Sequence, residues 1–266
     1  MSDAQPVEPK PAATVLLLRD DPEFQVLMVK RHHQVDFASS ALVFPGGKTH
    51  TGDGDENWAE HTTGWSAFDT AQRTLRIGAI REAFEESGVL ICTHRDGRAF
   101  TAACDPVVRA AVDARDIAFI DVVRDLDVML NLDALTVFAR WITPGFMPKR
   151  FDTWFYAAKA LPEQVAACDG RETVDAEWIA PNEALRLSKA GKRTIIFPTR
   201  MNVQLLAEAS NAADCIARAE ARRLVPVMPH VEQRADGQVL VIPPDAGYGD
   251  VAEPLNSMMG EGRGGA

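Results

Sequence analysis

Arg81-Glu82-Ala83-Phe84-Glu85-Glu86-Ser87-Gly88-Val89, REAFEESGV, places carboxylates at 82, 85 and 86, the spacing i, i+3, i+4. The stretch closes a helical pattern that runs from Ala71 to Ser87, with Gly88 as its stop signal. At roughly 100° per residue the three acids fall within an arc of about 100°, with Ile77, Ile80 and Phe84 on the opposite face. Like charges at i, i+4 weaken a helix unless something offsets them. A hard divalent cation is one such offset, because it takes carboxylate oxygens together with water and phosphate. A solvated acidic face is the other reading of the same spacing, and for an arbitrary helix the commoner one.

The segment upstream decides between them. Ala13 to Leu18 and Phe24 to Val29 are short apolar runs that suit two strands joined by a turn. A third, Ala41 to Phe44, runs into Phe44-Pro45-Gly46-Gly47-Lys48-Thr49. Its Gly-Lys-Thr ending imitates a phosphate-binding P-loop, but that motif needs a glycine where Leu42 stands. From Lys48 to about Thr70 no period is sustained, and a loop of that length inside a domain is usually a lid or an insertion.

The glycine pair followed by REAFEESGV resembles the Nudix box: Gly, five residues, Glu, seven residues, then Arg-Glu-apolar-x-Glu-Glu-x-Gly-apolar. The second half matches at every specified position from Arg81 to Val89, with Ala83 as a small apolar residue. In the first half Arg81 lies 34 positions after Gly47 instead of 14, an insertion of 20 residues, and Asp53 stands where the pattern has Glu. An insertion there, with Asp at that position, resembles the coenzyme A diphosphatase branch, peroxisomal in mammals and with bacterial relatives. The resemblance covers roughly Ala13 to Leu187.

The resemblance implies an α/β fold, a Nudix-type α/β/α sandwich with a mixed sheet, an inserted loop and extra C-terminal helices. It implies water attack on the diphosphate of a nucleoside diphosphate linked to another moiety, with Mg2+ or Mn2+ as cofactor. Glu82, Glu85 and Glu86 would hold the metal, and one of them would also accept a proton. Arg81 would pair with a carboxylate and orient the ridge. A carbonyl of Gly46 or Gly47 would add a metal ligand, because a turn without side chains admits a cation to the backbone.

Gly46, Gly47 and Arg31 would also touch substrate. Arg31, His32 and His33 would contact phosphates, a 3′-phosphate among them, or else form a solvated turn. Glu172, with Asp175 as its neighbour in DGRETVDAEW, would act as a distant base, a solvated carboxylate being the alternative. Trp58, Trp65 and Phe68 would anchor the insertion on the core or stack on a base. Gly78, one turn before Glu82, either clears space for the insertion or is tolerated packing. The first substrate expected is coenzyme A or an acyl-coenzyme A. ADP-ribose, NADH or a sugar nucleotide is the alternative, and a non-catalytic nucleotide sensor is the reading from another class.

Composition bounds the partners. The 266 residues hold 28 basic and 38 acidic side chains, a formal charge of -10, which disfavours nucleic acid and anionic membrane. The expected partner is a small-molecule nucleotide diphosphate, with a homodimer left open. No apolar run approaches a membrane span of about 18 residues, and the start lacks a leader pattern, so the chain reads as cytoplasmic. Cys92, Cys104, Cys168 and Cys215 have no metal-type spacing and read as reduced thiols.

The expected organisation is a flexible tail over 1–10, one domain over 11–242 and a flexible tail over 243–266. The domain would carry the insertion at about 48–70 and a helical part at about 182–223. Asp105 to Leu130 carries helical periodicity, Val89 to Thr93 reads as a strand, and Leu135 to Ile142 with Asp152 to Ala160 reads as a strand pair.

Overall fold

β1 (Lys10–Arg19) is buried without interruption from Ala12 to Leu18, as a strand covered on both faces must be. The computed structural model describes residues 7–31, 41–161, 173–235 and 237–255, apart from the side chains of Arg31 and of residues 173–175. After β1 come β2 (Gln25–Arg31), β3 (Leu42–Val43), β4 (Gly46–Lys48) and β5 (Thr62–Thr63), then α1 (Thr70–Ser87) and β6 (Cys92–His94). Next are α2 (Pro106–Asp113), α3 (Phe119–Asp125), β7 (Val128–Asn131), β8 (Thr136–Ile142), β9 (Phe151–Lys159) and β10 (Thr173–Ile179). The chain continues through α4 (Pro181–Lys189), α5 (Phe197–Leu206), α6 (Ala212–Ala221), β11 (His230–Arg234), β12 (Gly237–Val241) and β13 (Ala252–Pro254).

The main sheet has the order β10-β2-β1-β9-β8, with β3 added on β2 and β4 on β1. It is mixed, because β1 runs parallel to β9 and antiparallel to β2 and β4. Alternate residues of β1 face opposite sides. Ala13, Val15 and Leu17 pack in one core with α1, α2, α3 and the small sheet β5-β7-β6. Leu16 and Leu18 pack in a second core with α4, α5 and α6. Two cores divided by one sheet make the α/β/α sandwich. Among the described residues no helix is long and apolar enough to cross a membrane.

The structure corrects four local expectations. Asp105 to Leu130 is not one helical stretch, because left-handed backbone at Arg115, φ 63°, and Asp127, φ 50°, separates α2, α3 and β7. The strand expected over Val89 to Thr93 is confined to Cys92–His94. The insertion is a packed layer: single 3-10 turns at Thr51–Gly54 and Glu56–Glu60 bring Trp58 into the core beside Phe119, with ring centroids 5.6 Å apart. The Trp58 indole donates to Gly52 O at 2.8 Å, so its polar end is satisfied as well.

The fourth correction concerns the tail expected from 243 onward. Residues 252–254 pair with β12, and the Tyr248 hydroxyl accepts from Trp141 Nε1 at 3.0 Å and donates to Asn202 Oδ1 at 2.8 Å. Gly, Pro and acidic composition signalled a tail, but Tyr248, Val251 and Leu255 supply apolar anchors against the second core. At the other end β1 already begins at Lys10. Cys92, Cys104 and Cys215 are free, and burial pushes the Cys92 thiol up to about 12; Cys168 lies outside the described residues.

Candidate active site

α1 begins where the Asp69 carboxylate accepts the Gln72 N–H at 2.8 Å, and it ends where Gly88, φ 75°, donates to Phe84 O at 2.8 Å. Between these caps the sequence suggested an apolar face and a solvated or metal-bound acidic one. The structure buries every residue from Leu75 to Ser87. Glu82, Glu85 and Glu86 are 7%, 5% and 8% exposed, Arg81 3% and Asp53 2%, so the ridge lies inside the protein.

Arg81 organises it. Its Nε donates to Asp53 Oδ1 at 2.9 Å, its Nη2 to Lys48 O at 2.8 Å, and its Nη1 to Glu85 Oε2 at 2.7 Å, with Glu82 Oε1 at 3.0 Å. One guanidinium therefore faces three carboxylates. Burial alone would lower the Arg81 pKa, but Glu82, Asp53 and Glu85 outweigh it and hold the side chain charged. Burial pushes the Glu85 carboxyl up to about 7 against the pull of Arg81, and it raises Glu82 in the same direction.

The glycine pair lies across this ridge. Gly46 N–H donates to Glu86 Oε2 at 3.0 Å, and β4 pairs Gly46 with Thr14 and Gly47 with Ala13. A Cβ on Gly47 would stand 2.6 Å from Glu82 Oε1, and one on Gly46 2.6 Å from Ala13 O, so only bare Cα atoms allow this approach. Gly46 was expected to offer a carbonyl; the contact described is through its N–H.

Gly78 clears space, as one of its two readings had it, because a Cβ there would stand 2.9 Å from Asp53 Oδ2. That oxygen is already held by the His50 N–H at 2.7 Å. Gly78→Ala should therefore destabilise the protein by about 1 kcal/mol, where an unhindered helix interior would gain about that much from alanine. A thermal melt of the variant reads the sign.

The donor set fits a hard divalent cation. Glu85 Oε1 is buried without a hydrogen-bond partner, and the bare Gly47 leaves the Glu82 carboxylate uncovered by any side chain at that point. As the side chains stand, no three His, Cys, Asp or Glu groups among the described residues are arranged to hold an ion. Arg81 draws one oxygen of Glu82 and one of Glu85 to itself, which accounts for that arrangement.

A pH dependence follows. Glu85, at about 7 when folded against 4.5 ordinarily, keeps a proton that the unfolded chain has already lost. The metal-free protein should then lose stability as pH rises between those values. A divalent ion reverses the trend because it binds ionised carboxylates, adding about 2.7 kcal/mol at 100 times its Kd. Melting curves at pH 5.5 and 8, with chelator and with Mn2+, would show it; a metal effect that shrinks at pH 8 would count against the assignment.

Arg81, Glu82, Glu85, Glu86, Gly46 and Gly47 are thus gathered in one place. Arg31 ends β2 with its backbone opposite Thr173, and its side chain is not described. Asp175 is likewise described only by its backbone, and Glu172, His32 and His33 lie outside the described residues. The sequence had marked Asp53 by its position six after Gly47 without giving it a role; the structure makes it the partner of Arg81. Two neighbours carried no signal: Arg109, whose Nη2 donates to Glu85 O at 3.0 Å, and Asp113, whose charge acts on Glu85.

The family model of the NUDT19 Nudix domain matches residues 66–205, just over half of the chain. The chain is similar to the acyl-coenzyme A diphosphatase NUDT19 of Xenopus laevis, at 26% identity over 272 residues, covering 85% of this chain and 72% of that protein. The protein of the same name from Homo sapiens is 25% identical over 285 residues, covering 89% and 75%. The crystal structure of a NUDIX hydrolase from Alicyclobacillus acidocaldarius superposes with a TM-score of 0.70 at 24% identity, over 79% of this chain and 96% of that one. The structural likeness concerns the fold, and the family match covers the helix that carries the ridge. The sandwich is that of a Nudix hydrolase, an enzyme of diphosphate bonds, and the chain belongs to the NUDT19 Nudix domain family.

Proposed function

We propose that the chain hydrolyses the diphosphate of coenzyme A or an acyl-coenzyme A, releasing a phosphopantetheine and adenosine 3′,5′-bisphosphate. The observation that carries this reading is the buried ridge of Glu82, Glu85 and Glu86 laid against the Gly46-Gly47 turn. The names of the Xenopus and human relatives support the choice of substrate.

Glu82, Glu85 and Glu86 would hold Mg2+ or Mn2+. When bound, the ion neutralises the diphosphate and makes water a better nucleophile. The chain's own residues prepare that event. Arg81 pins Glu82 and Glu85 against free rotation, Asp53 fixes Arg81, and the Gly46 N–H orients Glu86. Water oxygen attacks phosphorus, the bond to the bridging oxygen breaks, and the water proton passes to a carboxylate. A ridge glutamate is one acceptor, and Glu172 is the other residue proposed for that role.

Rates on coenzyme A, an acyl-coenzyme A, ADP-ribose and NADH with Mg2+, with products weighed by mass spectrometry, test the proposal. The coenzyme A substrates should lead in kcat/KM by about tenfold or more, the usual worth of specific contacts. Equal rates would move the assignment to ADP-ribose, NADH or a sugar nucleotide. Binding of a nucleotide with no turnover of any would favour the sensor.

A further inference from the structure

We infer that Arg115, with His50 and Lys48, forms a second phosphate subsite beside the carboxylate ridge, which takes a phosphate monoester of the substrate outside the diphosphate that is cleaved. The inference rests on the proposed function and narrows it to a nucleotide that carries such a group, as coenzyme A does on its 3′-oxygen.

Arg115 lies in the turn between α2 and α3 with φ 63°, a left-handed backbone that side-chain-bearing residues seldom adopt. It is exposed, and its Nη2 stands 3.0 Å from His50 Nε2, 65 residues away in sequence. Lys48 is exposed as well, with Nζ 5.8 Å from the Phe151 ring centroid. Among the described residues no carboxylate lies within ion-pair distance of Arg115 or Lys48. Such a pairing is easily found elsewhere in a chain of charge -10: Arg95 meets Asp127, Arg140 meets Asp152 and Arg186 meets Glu183. Here a guanidinium faces an imidazole instead, with an ammonium two residues from that imidazole.

The cluster stands one layer out from the ridge. The His50 N–H holds Asp53 Oδ2 at 2.7 Å, Asp53 holds Arg81, and Arg81 holds Glu85. The Lys48 carbonyl is bound by Arg81, so its side chain departs from the same loop. Arg115 is thereby linked to the ridge through His50, Asp53 and Arg81. The Arg115 fork, positioned by the His50 imidazole that accepts from its Nη2 at 3.0 Å, suits a dianionic phosphate, each bond being charge-assisted.

The test compares coenzyme A with 3′-dephospho-coenzyme A as substrates of the wild type, Arg115→Gly and Arg115→Lys. Glycine removes the guanidinium and suits φ 63°, so the melting temperature should not fall. The ratio of kcat/KM for the two substrates should drop about tenfold to a hundredfold in Arg115→Gly, the worth of a lost charge-assisted bond, and recover in part with lysine. Lys48→Ala should lower the same ratio by a smaller factor. Calorimetry with adenosine 3′,5′-bisphosphate and with AMP reads the subsite without turnover, and the bisphosphate should bind more tightly to the wild type alone. Equal losses on both substrates would place Arg115 at the diphosphate and overturn the inference, as would an unchanged ratio or equal binding of the two nucleotides by the wild type. If the wild type hydrolyses neither coenzyme, the proposed function fails by itself, and the nucleotide binding still decides the subsite.

Discussion

Glu86→Gln should lower kcat on the diphosphate substrate by roughly 10²- to 10⁴-fold at saturating Mg2+, the range spanned by losing a group that positions or accepts a proton. The substitution is close to isosteric, and the glutamine Oε1 can still accept the Gly46 N–H that now meets Glu86 Oε2 at 3.0 Å. The turn should therefore stay against α1 while one buried negative charge disappears. Melting temperature without metal should hold or rise, because the side chain is 8% exposed and its ionised form costs desolvation. Product release measured beside a circular dichroism melt separates the two effects. Activity within threefold of wild type would remove Glu86 from the reacting site, whereas lost activity with a collapsed melt would make its role structural.

Arg81→Ala carries the largest expected effect on stability, a loss of about 3–5 kcal/mol, because removal of one member of a buried ion cluster strands the others. Asp53, Glu82 and Glu85 would face one another without the cation that now bonds all three. Arg81→Lys should rescue little, since an ammonium cannot direct donors to Asp53, Glu85 and the Lys48 carbonyl at the geometry of the fork. The deficit should grow with pH. Burial already raises Glu82 and Glu85, and without Arg81 their folded values climb further. Each then holds a proton that the unfolded chain gives up, so stability falls as pH rises from 5.5 to 8. Urea unfolding at the two values would test it, and equal deficits would indicate that water already screens the cluster.

These two residues show how unevenly the site could be read. The i, i+3, i+4 spacing that puts Glu82, Glu85 and Glu86 on one helical face is a local property, legible from the period alone. So were the glycine stop at Gly88 and the apolar run from Ala13 to Leu18 in β1, and the structure bears out both. The same local logic misled at Asp105 to Leu130, where the apolar period continues through two left-handed residues that end its helices. It misled again after Pro243, where composition outweighed the few apolar anchors that tie the segment down.

Helicity at the ridge, a glycine turn open to close approach and the Nudix pattern from Arg81 to Val89 could all be read from local sequence. The tertiary structure alone decided that the acidic face is buried, that Asp53 returns across 28 residues to hold Arg81, and that Arg115 meets His50 across 65. The reason is physical: a period reports the direction of a side chain on its own element, whereas burial and charge pairing depend on which distant segment closes over that element. Loop closure grows costlier only slowly with length, so the sequence separation of two residues says little about whether they meet.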